Sequence, residues 1–201
     1  MATKTDYMLL INHDCPLPEN FEATVQLIEA ENSEGDRFLI EKKTYDAFLR
    51  LRQDVLKNDG LQIELISVYR TIPQQQDTWN NYLEKFGLEH TKKYVAVPGH
   101  SEHHTGMAID VSIVVDGKIV RGAKNLLEID RLFKPIQDKL SAYGFFLRYP
   151  KGKEGITKIN YEPWHFRYID SPEIAREITN RGICFEEYHK KASPEGKPCN
   201  V

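Results

Sequence analysis

The stretch VPGHSEHHTGMAIDV, residues 97–111, holds His100, His103 and His104 in a short glycine-bearing turn and then an aspartate inside an apolar run. Imidazole nitrogen and carboxylate oxygen are both zinc ligands, and a catalytic zinc site keeps three protein ligands with one position open. His103 and Asp110 would supply two of the three. The same pattern is also what a polar loop leading into an ordinary strand looks like. Strand alternation over 107–114 puts Met107, Ile109, Val111 and Ile113 on one face and Ala108, Asp110, Ser112 and Val114 on the other. Asp110 therefore sits among small residues, where a carboxylate is costly unless a cation, a metal or hydrogen bonds compensate it. Thr105-Gly106 and the β-branched run after them disfavour a helix. A loop folding back onto the strand, freed by Gly106, is the geometry expected.

A second group lies in YEPWHFRY, residues 161–168. Here Trp164, Phe166 and Tyr168 alternate with His165 and Arg167, so His165 faces away from an aromatic stripe that reads as core. Glu162 precedes Pro163 and is held extended, which lets a turn aim it back at whatever His165 binds. A carboxylate so placed can take a proton from a metal-acidified water attacking a carbonyl. A third group is SVYRTIPQQQ, residues 67–76. Arg70, at the C-terminal end of a strand, can face a cleft and stabilise the oxyanion of amide hydrolysis. Gln75, one turn into the next helix, can hydrogen-bond a peptide or a terminal carboxylate. Taken singly, each of these two also reads as an ordinary surface residue.

The elements that must position these groups alternate irregularly. Residues 42–60 carry apolar Tyr45, Phe48, Leu49, Leu51 and Val55 at helical spacing and stop at Asp59-Gly60. A β-branched strand follows over 61–70, then a helix from Pro73 to Gly87. The strand carrying Asp110 ends in a turn at Asp116-Gly117. The helix over 128–144 is expected to bend or restart at Pro135. Strands at FFLRYP and WHFRYI precede a helix capped by Ser171, with Pro172 in its first turn and Gly182 at its end. This mixed order predicts a single α+β domain with a mainly antiparallel sheet flanked by helices. Residues 1–40 read as a lead-in packed on the domain, 41–190 as the catalytic unit and 191–201 as a polar tail.

Composition bounds the partners. At 201 residues the chain can bury a core without staples. A net charge of −3 and the lack of any Lys/Arg cluster argue against nucleic acid. The short apolar run Met8–Ile11 is neither a secretory segment nor a membrane span. Cys15, Cys184 and Cys199 are odd in number and widely spaced, so all three are expected to be reduced and the protein cytoplasmic, or else exported from a longer precursor. No residue pattern speaks to oligomeric state.

Together the segments SVYRT, PGHSEHHTGMAIDV, GFFLRYPKGKEGIT and YEPWHFRY resemble the D-alanyl-D-alanine carboxypeptidases of the VanY and VanXY type, zinc peptidases of the LAS group. The signature S-x-H-x-x-G-x-A-x-D is met by Ser101, His103, Gly106, Ala108 and Asp110, and E-P-W-H-x-R-Y begins at Glu162. The resemblance implies one zinc held by His103, Asp110 and His165. It implies Glu162 as general base and then acid, Arg70 polarising the scissile carbonyl, and Ser101, Gln75 and Trp164 lining the pocket for a terminal D-alanine. His100 and His104 receive no ligand role and are expected at the rim of the cleft. The implied substrate is a small peptide ending in D-alanine, either the D-Ala-D-Ala dipeptide or a peptidoglycan precursor. An L,D-carboxypeptidase trimming tetrapeptides is the close alternative. A non-catalytic zinc-containing peptide-binding module is the alternative from another class, and the presence of Glu162 weighs against it.

Overall fold

In the computed structural model, which describes residues 5–192, an N-terminal segment with a 3-10 turn at Phe21–Thr24 leads into a hairpin of β1 (Leu27–Glu31) and β2 (Arg37–Glu41). Next come α1 (Lys42–Asp59), β3 (Ile63–Ser67), α2 (Ile72–Phe86) and α3 (Leu88–Tyr94). A 3-10 turn, Glu102–Thr105, leads into β4 (Ala108–Val115) and β5 (Lys118–Ile119). The chain continues through α4 (Ala123–Glu128), α5 (Asp130–Lys139), β6 (Phe145–Leu147) and α6 (Glu154–Thr157). It ends with β7 (His165–Tyr168), α7 (Pro172–Arg181) and α8 (Phe185–Ala192). The main sheet has the order β3-β4-β7-β6 with β5 paired to β4, and each pairing is antiparallel. This is the α+β architecture that the element order predicts.

Local chemistry sets the elements that frame the cleft. α1 starts where the Glu41 carboxylate accepts a hydrogen bond from the Thr44 backbone N–H at 2.7 Å, and it ends at Gly60 with φ 68°. α2 starts immediately after Arg70: Thr71 and Gln74 form a reciprocal capping box, with a proline in the first turn. Arg70 is thereby fixed between a strand end and a helix start.

One face of the sheet carries the larger core. Ile63, Leu65, Ile109, Val111, Ile113, Phe145, Trp164, Phe166 and Tyr168 pack with Ala47, Phe48, Leu51 and Val55 of α1 and with Phe133 and Ile136 of α5. Burying this much apolar side chain contributes roughly 1.5–3 kcal/mol per large residue before conformational entropy is subtracted. A second cluster joins Leu10, Phe146 and Ile169 to Ala175 and Ile178 of α7 and Phe185 of α8. The N-terminal segment and the last two helices thus cover the sheet where β7 presents His165 and Arg167.

Several expectations need correction. Leu49 is 40% exposed, and the buried face of α1 runs instead through Thr44, Ala47, Phe48, Leu51 and Val55. One helical step of about 100° carries Leu49 past the buried stripe. Met107 leaves the face of Ile109 and packs with Leu9, Ile11 and Phe21, because β4 begins only at Ala108. α5 runs through Pro135, and the break falls at Ile129, whose φ of −99° and ψ of 16° lie outside the helical region. The cysteines are not all reduced: Cys15 is disulfide-bonded, and Cys184 is free and buried. Sequence separation carries no information on the Cα distance that a disulfide needs. Cys199 and the rest of the polar tail from residue 193 lie outside the described residues.

Candidate active site

Strand register brings two of the expected ligands together. β4 pairs with β7 so that Asp110 lies directly opposite His165. Directly opposed residues on an antiparallel pair share a face with Cβ atoms about 4.5–5.5 Å apart. His103 arrives from the 3-10 turn, which Ser101 caps through its Oγ, the acceptor for the His103 N–H at 3.3 Å. Gly106 then turns the chain into β4 with φ 68°. A Cβ at that position would stand 2.7 Å from Leu27 Cδ2 and 3.0 Å from the Glu41 nitrogen. Both the turn and its close approach to the hairpin therefore require glycine.

Hydrogen bonds fix the tautomer of His103. Its Nδ1 is 2.6 Å from the Val68 carbonyl oxygen, which can only accept, so Nδ1 carries the proton and the Nε2 lone pair is free. That Nε2 lies 3.3 Å from Asp110 Oδ2, and His165 Nδ1 lies 3.0 Å from Asp110 Oδ1. The latter contact is short but poorly aligned, because Asp110 Oδ1 is buried without a hydrogen-bond partner. One ligand atom from each of His103, Asp110 and His165 lies within 4.8 Å of the others. Two imidazoles and a carboxylate clustered this closely, with an orphaned buried oxygen among them, fit a zinc ion. Burial and Arg70 push His103 down to about 4. His165 is raised to about 9: burial acts against the rise, and Asp110 and Glu102 outweigh it. Asp110 is held well below the usual carboxylate range by the two histidines, against its own burial.

Glu162 and Arg70 close on this cluster. Glu162 is 7% exposed, and its Oε2 stands 3.6 Å from His165 Nδ1. Burial raises its pKa to about 8, with Asp110 adding to the rise and His165 and Arg70 opposing it. Arg70 donates from NH1 to Gln75 Oε1 at 2.7 Å and leaves its Nε buried without a partner. Burial lowers the Arg70 pKa, opposed by Asp110 and Glu162, and the group remains a cation. These side chains line one cavity of about 190 Å³ with Ser101 and Trp164. The cavity shares Thr78, Tyr82, Tyr94, Gly122 and Ala123 with a wider groove of about 870 Å³ between α2, α3 and α4.

All eight expected site residues therefore line one cavity, although their surroundings differ from expectation in two respects. Gln75 has both ends of its amide engaged, Oε1 by Arg70 and Nε2 donating to the Ala96 carbonyl at 2.7 Å, so it braces Arg70. His104 is not at the rim. It is buried, its Nδ1 donates to the Arg70 carbonyl at 2.7 Å, and its Nε2 accepts the Gly99 N–H at 3.1 Å. A carbonyl acceptor on one side and an N–H donor on the other use the imidazole fully, leaving it nothing to offer a metal. His100 hydrogen-bonds the Asn12 carbonyl through Nδ1 at 2.8 Å. Sequence reasoning missed Tyr149, whose ring centroid is 4.8 Å from that of His165, and Tyr82 and Tyr94 at the mouth. It also missed Glu102 and Arg148. Adjacency to His103 within the turn was the only signal Glu102 carried.

Comparison with known proteins agrees with this geometry. The family model VanY, D-alanyl-D-alanine carboxypeptidase, matches residues 37–171. The bifunctional D-Ala-D-Ala dipeptidase and D-Ala-D-Ala carboxypeptidase VanXYC of Enterococcus gallinarum is 37% identical over 189 residues, which cover 90% of this chain and 92% of the relative. The fold superposes with a TM-score of 0.73 on a variant of the vancomycin resistance D,D-pentapeptidase VanY in complex with Zn(II), at 29% identity over 91% of this chain and 98% of that one. It superposes with a TM-score of 0.74 on the LdcB LD-carboxypeptidase, at 35% identity over 90% of this chain and 85% of that one. The chain belongs to the VanY family of D-alanyl-D-alanine carboxypeptidases.

Proposed function

We propose that this protein is a zinc D,D-carboxypeptidase, active also as a D,D-dipeptidase, that hydrolyses the terminal D-Ala-D-Ala bond of peptidoglycan precursors or of the free dipeptide. The observation that carries the reading is the convergence of Glu162 and Arg70 on the His103–Asp110–His165 cluster within one small cavity. His103, Asp110 and His165 would hold the metal. When bound, zinc supplies a Lewis acid that polarises a carbonyl and acidifies water. Glu162, buried beside the cluster, would act as a carboxylate that takes a proton from the attacking water and returns it to the leaving amine. The Arg70 guanidinium, braced by Gln75, offers its unpartnered Nε edge to the developing oxyanion. A cavity of about 190 Å³ suits two small residues, and the adjoining groove leaves room for the rest of a longer peptide.

The L,D-carboxypeptidase reading stands second, supported by the 35% identity to LdcB. D-Alanine release from D-Ala-D-Ala, a D,D-pentapeptide and an L,D-tetrapeptide by the zinc-loaded protein separates the two. Turnover of the tetrapeptide alone sinks the D,D assignment. Full activity of Glu162→Ala on any of them sinks the mechanism. Among the described residues no helix is long and apolar enough to cross a membrane. The disulfide-bonded Cys15 favours an oxidising compartment over the expected cytoplasm. Thiol titration of protein taken directly from cells, with and without reductant, tests that location.

A further inference from the structure

Behind His165 lies a buried charge cluster that the reaction does not use. Arg148 and Arg167 are both fully buried, as is Glu102, which stands between them and the imidazole. Arg148 donates from Nε to Glu102 Oε1 at 2.7 Å, and Arg167 NH1 stands 3.2 Å from the same oxygen. The remaining donors of Arg148 form a bidentate pair with Glu186 of α8, at 2.7 and 3.0 Å. Arg167 is anchored further by the carbonyls of Tyr7, Leu9 and Tyr168. Arg148 thus holds one oxygen of Glu102 by a hydrogen bond, and Arg167 faces the same oxygen as an ion pair, its NH1 making no hydrogen bond. The other oxygen, Oε2, has no hydrogen-bond partner, and neither has His165 Nε2. These two orphaned buried atoms face each other 3.8 Å apart.

A cluster serving stability alone has no reason to leave a carboxylate oxygen bare beside a ring nitrogen, because each buried orphan is costly. The arrangement has a purpose if His165 uses Nδ1 for a metal. Nε2 must then carry the proton, and an acceptor beyond it fixes the tautomer, sets the ring angle and raises ligand basicity. His103 obtains the same support from a backbone carbonyl, that of Val68. His165 Nε2 has no such partner, and Glu102, a side chain from the His103 turn, is the group placed beside it.

We propose that Glu102 is the positioning residue for His165: its Oε2 accepts a hydrogen bond from Nε2–H when the metal is bound, and Arg148 and Arg167 hold the carboxylate in place. This rests on the zinc reading above. The test is competition for zinc against a chromophoric chelator, using the full chain as wild type, Glu102→Gln and Glu186→Gln. Both substitutions remove one carboxylate charge from the same arginine, but only Glu102 faces the imidazole. Glu102→Gln is expected to weaken zinc binding by about 10–100-fold, with Glu186→Gln unchanged from wild type. Equal weakening in both, or none in Glu102→Gln, overturns the proposal. If Glu102→Gln does not fold, long-range proton–nitrogen NMR of the zinc-loaded wild type decides. A slowly exchanging proton on His165 Nε2 supports the assignment, and a bare or rapidly exchanging Nε2 overturns it. Failure of the wild type to bind zinc at all removes the zinc reading itself, a separate outcome.

Discussion

Two buried polar clusters lie side by side in this protein and handle their charge in opposite ways. Glu102, Arg148, Arg167 and Glu186 balance two anions against two cations and pair mostly with one another. His103, Asp110, His165, Glu162 and Arg70 instead line a cavity, with Arg70 Nε and Asp110 Oδ1 unpartnered. The first cluster closes on itself and leaves Glu102 Oε2 and Arg167 NH1 without hydrogen bonds, whereas the second borders a cavity, with Arg70 and Asp110 only partly buried. The difference separates charge that supports a site from charge that faces it.

The contrast breaks most visibly at Glu162. Glu162→Ala is expected to cut D-alanine release by about 10²–10⁴-fold, with no loss of stability, since it removes a carboxyl whose burial is costly. Chemical denaturation run beside the activity assay checks both halves, and a large fall in stability would place Glu162 with the structural cluster. Arg148→Ala should behave in the opposite sense, leaving Glu186 without its cation and Glu102 with Arg167 alone, and lowering unfolding free energy by about 3–5 kcal/mol. Urea titration reads this directly, and a neutral outcome would mean that the cluster relaxes to admit water.

Arg70→Ala should lower kcat by about 10²–10³-fold, with Arg70→Lys recovering part of the loss. An effect confined to KM would reassign Arg70 to substrate binding. The pH dependence of stability sharpens the comparison further. Burial pushes the Glu186 carboxyl up, but Arg148 outweighs it and holds the folded pKa below the usual value. A depressed folded pKa stabilises the protein above the unfolded pKa of about 4.3, and that stability is lost as pH falls through the folded value. Glu186→Gln should therefore be less stable than wild type at pH 7, with the gap closing on acidification; a gap of constant size would assign the effect to packing. The smallest effect is expected far from both clusters. Ser171 caps α7 by accepting the Ile174 N–H at 3.3 Å, and Ser171→Ala should cost about 1 kcal/mol with activity unchanged.

Much of this was legible because some residue types have few other uses. Glycine before a strand, proline after glutamate and serine at a helix start are read from backbone chemistry alone, and Gly106, Pro163 and Ser171 act as expected. The β1–β2 hairpin, α3 and α8 escaped notice because their segments, of 5, 5, 7 and 8 residues, are too short for a periodic pattern to stand out. Glu102 and Arg148 escaped because a charged residue is read as solvated unless its partners are known, and theirs lie far away in sequence.

The sequence by itself supplied the candidate ligands and the candidate base, through a family resemblance carried by short motifs, and the α+β class, through the order of its elements. The resemblance already separates His103 from His104; only the tertiary structure shows the physical reason. His103 and His104 are neighbours in the chain, yet opposed hydrogen-bond partners leave Nε2 of one free and consume both nitrogens of the other. Likewise, the register that sets Asp110 opposite His165, and the two arginines that fix Glu102 behind it, arise from contacts between distant segments. Local sequence does not encode such contacts, because long-range packing selects them.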